Sequence, residues 1–257
     1  MLFASCLFFL AAQPADAQYQ RGAGHFRNGR VNEAIAAFEE GTRLAPTDAR
    51  SWKGLGVAHA AQGNYKKAED PLWKACELDA RDPDACYYLG LASYNLGRYE
   101  NALDAYNKAL KAAGDAGRVH TGLGLVLEAQ GKTEAAEGEL REASKITNGK
   151  SLPDSDPRVE FGAFLFRQGR IEEALPALDQ AARARPDSPR AHFELARILV
   201  QKERLDEAVS RLKRAVTLDP AYGPAHLLLG RVYFRQGRVA EGEQETRVGQ
   251  KLSVPKP

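Results

Sequence analysis

The sequence is short of the residues and spacings from which catalytic sites are built. Its five histidines form no HxxxH or HxxE pair and its three cysteines no CxxC, so no local motif encodes a metal-ligand set. No GxxxxGK[ST] phosphate loop occurs. Gly22-Ala23-Gly24 and Gly122-Leu123-Gly124 belong to a repeating small-residue column, not to a dinucleotide fingerprint. Neither charge is in excess: 36 basic against 34 acidic residues give a net charge of +2. No global field draws such a chain to nucleic acid. The one long apolar run, Leu2 to Ala12, is too short to span a bilayer. These absences argue against an enzyme, a cofactor, a small-molecule substrate and a nucleic-acid partner. Membrane contact is expected only through a partner. What remains is 44% hydrophobic and 27% charged, rich in helix formers and sparse in β-branched residues, which predicts an all-α protein with a sizeable core.

The amino terminus stands apart. Leu2 to Ala12 is broken only by Ser5, and Pro14 and Ala15-Asp16-Ala17 follow. An apolar run ahead of a small-x-small triplet reads as a secretory signal peptide over residues 1–17, cut after Ala17. No Lys or Arg precedes the run. The alternatives are an apolar first helix, an uncleaved anchor, or a start inside a longer leader. Cys6 does not suggest a lipid anchor, because apolar sequence continues beyond it. Export predicts a periplasmic or secreted protein. Without it the chain is a cytoplasmic interaction module.

The remainder is organised by a period of 34. Gly29, Gly63, Gly97 and Gly131 recur at that interval; Gly169 follows after 38, then Glu203 and Gly237 after 34 each. Around them the text repeats as NGRVNEA, QGNYKKA, LGRYENA, QGKTEAA, QGRIEEA, KERLDEA and QGRVAEG. Seven residues before each turn stands Gly22, Gly56, Gly90, Gly124, Gly162, Ala196 or Gly230. Five after it stands Ala34, Ala68, Ala102, Ala136, Ala174, Ala208 or Gly242, and twelve after it Gly41, Ala75, Ala109, Ala143, Ala181, Ala215 or Gly249. Small residues in these columns let two antiparallel helices approach closely. Phe38, Leu72, Tyr106, Leu140, Leu178 and Leu212 fill the complementary large column. The segment Asp84–Gly114 shows the unit most cleanly: two helical patterns flank Gly97, where a helix ends in the left-handed conformation.

Trp52-x-x-Leu55-Gly56, followed by Ala68, Leu72 and Ala75, resembles the tetratricopeptide (TPR) repeat, whose period and helix–turn–helix pattern match. The resemblance implies a right-handed α-solenoid of about seven units, near 18–46, 49–80, 83–114, 117–149, 156–186, 189–220 and 223–252. Departures are Arg21 at a usually apolar position, Glu203 for the turn glycine, and a polar last helix suited to a terminal cap. Asn148–Arg158 reads as a loop inserted between units four and five.

The resemblance also implies that each first helix lines a concave groove that holds a protein or peptide. Its groove-facing residues are then Lys53 in unit two; Tyr87, Tyr88, Leu91 and Tyr94 in unit three; Leu125 and Glu128 in unit four; Glu160, Ala163, Phe166 and Arg167 in unit five; and Glu194, Arg197 and Arg231 in units six and seven. Exposed aromatics beside arginine suit a protein–protein hot spot. The alternative for the tyrosines is packing between neighbouring first helices. The Lys/Asn/Arg carboxylate clamp of chaperone-binding relatives is not reproduced, since Val57 and Tyr88 stand where it needs asparagine. Cys76 and Cys86 lie equidistant from Arg81, across a helical hairpin, so a disulfide between them is geometrically open. Two buried thiols are the alternative.

Overall fold

The computed structural model describes residues 3–112, 116–146 and 156–253, with side chains from Pro14 onward. Among these residues it has fourteen α-helices and no strand. They are α1 (Phe3–Arg27), α2 (Val31–Leu44), α3 (Ala49–Ala61), α4 (Tyr65–Leu78), α5 (Pro83–Asn95), α6 (Tyr99–Lys111), α7 (Ala116–Ala129), α8 (Thr133–Lys145), α9 (Pro157–Arg167), α10 (Ile171–Ala184), α11 (Pro189–Gln201), α12 (Leu205–Leu218), α13 (Gly223–Arg235) and α14 (Val239–Ser253). They fall into two compact units, Met1–Ala136 and Glu137–Pro257. In the first, the hairpins α1/α2, α3/α4 and α5/α6 stack in order and end on α7. In the second, α9/α10, α11/α12 and α13/α14 do the same.

Each hairpin turns on its predicted glycine. Gly29, Gly63, Gly97, Gly131, Gly169 and Gly237 take φ between 72° and 75°, a region open to glycine and strained for L side chains. Glu203 takes φ 59°, alone among the described non-glycine residues. Its carboxylate pairs with Arg235 of the next hairpin.

The columns are the core. A Cβ at Gly90 would stand 2.7 Å from the Tyr106 ring, at Gly22 2.7 Å from Phe38 and at Gly162 2.5 Å from Leu178. In these hairpins, and at Gly56 beside Leu72, the large side chain of the second helix therefore sinks into the bare backbone of the first. Where that side chain is aromatic it reaches further. Phe38 also fills the space a Cβ would need at Gly54, and Tyr106 the space at Gly122, each on the following repeat's first helix. Where it is leucine, that following position carries a side chain: Tyr88 after Leu72, Glu194 after Leu178, Leu228 after Leu212. Burial pushes the Tyr106 hydroxyl far above the ordinary tyrosine range, so it stays protonated. The last hairpin reverses the scheme: Phe234 and Leu227 of α13 press on Gly242 and Gly249 of α14. Those two glycines are the buried positions of a helix otherwise turned to solvent.

Junctions between repeats are fastened at one column, eleven residues before the turn. Trp52 donates Nε1–H to the Pro46 carbonyl at 2.9 Å. His192 and His226 donate Nε2–H to the carbonyls of Pro186 and Pro220 at 3.1 and 3.2 Å. Burial holds His192 below the ordinary imidazole value, so this nitrogen carries its one proton. Cys86 occupies the same column and is joined to Cys76 by a disulfide, with the Cα atoms 4.9 Å apart. A second fastening recurs in the turns. Gln62 donates to Asn32 at 2.7 Å, Gln130 to Glu100 at 2.8 Å, Lys202 to Glu172 at 2.6 Å and Gln236 to Asp206 at 2.8 Å. The residue before one turn thus holds the residue three past the preceding turn.

At the amino terminus α1 runs from Phe3, Ala15 is buried, and Asp16 pairs with Arg50 at 3.0 Å. Arg21 does not disturb its helix: it is exposed, bonded to Gln18, and Phe38 packs on Gly22 beside it. Residues 147–155, most of the expected loop, lie outside the described residues; Asp156 caps α9 by accepting from the Arg158 amide at 2.9 Å.

The contact between Tyr106 and Gly122 predicts that Gly122→Ala costs about 1–3 kcal/mol in urea unfolding. Adding Tyr106→Leu recovers part of that cost in a double-mutant cycle, and an additive cycle contradicts the packing. Glu203→Gly should raise stability by about 1 kcal/mol, the left-handed strain exceeding the exposed pair it loses. Unreduced, denatured protein should yield no reactive thiol from Cys76 and Cys86, and two would contradict the bond. Replacing both by serine should cost about 2–3 kcal/mol.

Candidate functional site

Between the packing columns, half-buried residues of the first helices form an edge along each unit. In the first unit that edge belongs to α3, α5 and α7, neighbours in the stack. Its centre is an aromatic and cationic cluster on α5. The ring of Tyr87 meets Tyr88 edge-on at 5.4 Å between centroids and the buried Tyr106 at 5.7 Å. Arg118 of α7 lies 4.0 Å over Tyr87 and 5.9 Å from the Tyr88 centroid. Its Nη2 donates to Asp84 at 2.6 Å. Burial alone would lower the Arg118 pKa, but the Asp84 hydrogen bond and the adjoining tyrosines carry it above the ordinary guanidinium value. Two turns on, Tyr94 packs on Tyr99 at 6.2 Å.

These tyrosines do not stand clear of the protein. Tyr87, Tyr88 and Tyr94 are half-buried against the core cluster, so packing between neighbouring first helices takes part of each ring. Leu91, Leu125 and Glu128 are half-buried along the same edge. Lys53 is committed elsewhere: its Nζ donates to Asp82 at 2.5 Å, and Asp82 caps α5 through the Asp84 amide. It ties two repeats together and offers little charge to a ligand.

In the second unit the edge belongs to α9, α11 and α13. The side chain of Phe166 lies 4.9 Å beneath Arg197, while Arg167 and Arg231 are exposed. Three residues expected on this face are buried instead: Glu160 and Glu194 at 5% exposure each and Ala163 at 0%. The two carboxylates tolerate burial because arginines reach them, Arg190 to Glu160 and Arg197 to Glu194. Sequence reasoning overlooked Arg118 and these partnerships; the signal for Arg118 was its place 34 residues after Asp84.

Among the described residues no three His, Cys, Asp or Glu side chains converge as metal ligands. No described helix is long and apolar enough to cross a membrane. The arrangement presents shape, aromatic surface and oriented cations, which suits recognition of another chain.

Comparison with known proteins agrees on the architecture. Sequence models described as Tetratricopeptide repeat match residues 19–85 and 165–223, 83–116, 117–142, and 200–250. The chain is 33% identical over 124 residues to the cytochrome c-type biogenesis protein CycH of Rhizobium meliloti (strain 1021), covering 44% of this chain and 31% of that one. It is 30% identical over 105 residues to superkiller complex protein 3 of Mus musculus, covering 41% and 7%. The alignments thus span less than a third of these relatives' lengths. Two solved structures share the fold. Yeast Tom70 has TM-score 0.74 and 18% identity over 96% of this chain and 51% of its own. A tetratricopeptide repeat protein from Parabacteroides merdae has TM-score 0.71 and 15% identity over 95% of both. Period, columns, hairpins and sequence models converge: the chain belongs to the tetratricopeptide repeat family.

Proposed function

We propose that the protein is a non-catalytic scaffold whose first-helix edge on α3, α5 and α7 holds an extended peptide or a partner's helix. The observation that carries the reading is the Tyr87–Tyr88–Arg118 cluster. It is large, aromatic, fixed by Asp84 and Tyr106, and only half covered by its own chain. Rigid aromatic surface with an oriented guanidinium loses little entropy on binding, as hot spots require. The partner is a protein or peptide, not nucleic acid: the near-neutral chain offers no counterion-releasing stripe.

The setting belongs to the same proposal. The apolar run before Ala15-Asp16-Ala17 and the Cys76–Cys86 disulfide both favour an oxidising, exported location, the periplasm or envelope of a bacterium. One relative's name, a cytochrome c-type biogenesis protein, is in keeping with assembly of an envelope complex. The second reading, a cytoplasmic adaptor, rests on α1 running from Phe3 past Ala17 as one helix with Ala15 buried. Fractionation of a tagged chain separates the two: uncut protein in the cytoplasm refutes export.

Tyr88→Ala should weaken capture of the partner in a pull-down about tenfold or more while far-UV circular dichroism is unchanged. Capture that survives Tyr88→Ala and Tyr94→Ala alike moves the site off α5.

A further inference from the structure

The edge of the second unit differs in chemistry from that of the first. The column six residues before the turn reads Val57, Leu91 and Leu125 in the first unit, then Ala163, Arg197 and Arg231 in the second. Arg197 is held as few surface arginines are. Its Nη1 donates to Glu194 at 2.6 Å, and Glu194 is buried. Its plane lies 4.9 Å from the Phe166 ring centroid and 6.0 Å from that of Phe193. The carboxylate fixes one edge of the fork and the rings fix its plane. Among the described residues, Nε and Nη2 meet no protein acceptor, and the side chain is 35% exposed.

Arg231 stands in the same register on α13, exposed and without an ion-pair partner among the described residues. α11 and the α13 segment approach each other at two places. The Phe193 and Tyr222 rings meet at 5.2 Å at one end, and Arg235 reaches the Val200 carbonyl at 3.5 Å at the other. Phe234, 43% exposed, flanks Arg231 one turn on. Between α11 and the start of α13 lies an open cavity of about 430 Å³, lined by Pro189, Arg190, Glu194, Asp219 and Tyr222.

We propose that this face binds an acidic peptide segment, with Arg197 and Arg231 each taking one carboxylate. A guanidinium locked by a buried carboxylate and two rings loses little freedom on binding, and its free fork suits a carboxylate. Neighbouring helices lie about 9 Å apart. Acidic side chains three residues apart in a polyproline-II segment share one face about 9 Å apart, which spans two such helices. The flanking Phe193 and Phe234 suit apolar neighbours in the same peptide. A polyanion fits worse, because the other cations are taken: Arg190 by Glu160, Arg235 by Glu203 and Lys202 by Glu172. The inference rests on the scaffold reading but not on the tyrosines of the first unit.

The test is fluorescence anisotropy on the full chain with three labelled probes. They are a peptide with two aspartates three positions apart among leucine and alanine, its asparagine counterpart, and an oligouridylate of equal length. The aspartate peptide should bind at least about tenfold more tightly than the asparagine one. Arg231→Gln should remove about that factor, and Arg197→Lys, which keeps a charge for Glu194, should weaken binding severalfold. Equal binding of both peptides, no binding of the aspartate peptide, or indifference to Arg231→Gln overturns the proposal. Tighter binding of oligouridylate overturns it in favour of nucleic acid. If the natural partner is still captured by Arg231→Gln with unchanged salt dependence, this site fails while the scaffold stands. If no partner is captured by the wild-type chain, the scaffold reading fails.

Discussion

The fold depends on one contact repeated along the chain up to the last hairpin: a large side chain nine residues after the turn pressed against a glycine or alanine seven residues before it. That contact sets the distance between the helices of a hairpin. Small columns five and twelve residues after the turn follow from it, since closely spaced helices leave no room there. Its size then reaches the neighbouring repeat. Tyr106 and Phe38 are too long for one hairpin and demand glycine at 122 and 54 as well. Leucine at the same column does not, which releases the following position for Tyr88 and Glu194.

The junctions show one structural task met by different chemistry. Trp52, His192 and His226 cap the carbonyl of a junction proline with a ring N–H, and Cys86 in the same column uses a covalent bond. Each joins the start of a first helix to the segment just before it. The covalent version fastens the helix that also carries Tyr87 and Tyr88. The aromatic cluster is thus held at its base by the disulfide, at its rim by Arg118 and Asp84, and beneath by Tyr106.

The fold was legible because its determinants recur. Columns defined by a period of 34 report backbone distances directly, and a turn glycine reports its own φ. Contacts between repeats left weaker traces. Groove-facing positions follow from the resemblance and helix spacing, whereas Tyr87 and Glu160 are partly or wholly covered by residues of the adjoining first helix, which spacing within one helix does not register. Buried glutamates look solvent-facing in a sequence until the arginines that neutralise them, one of them 30 residues away, are seen. The ring staples were hidden because their acceptors are backbone carbonyls, which have no letter. α1 extends past the first repeat because a helix continues wherever local preference allows, while a repeat column ends with its partner.

Function follows from what this packing leaves uncovered. Along the first helices, tyrosine, arginine and phenylalanine side chains stay half-buried or exposed and are held in place by partners of their own. The most direct measurement is photo-crosslinking in the native cell, with a benzophenone side chain placed in turn at Tyr88, at Leu125, and at Trp73, an exposed residue on a second helix of the same unit. The account predicts one protein partner captured from Tyr88 and Leu125 and not from Trp73. Capture from Trp73 alone would contradict it.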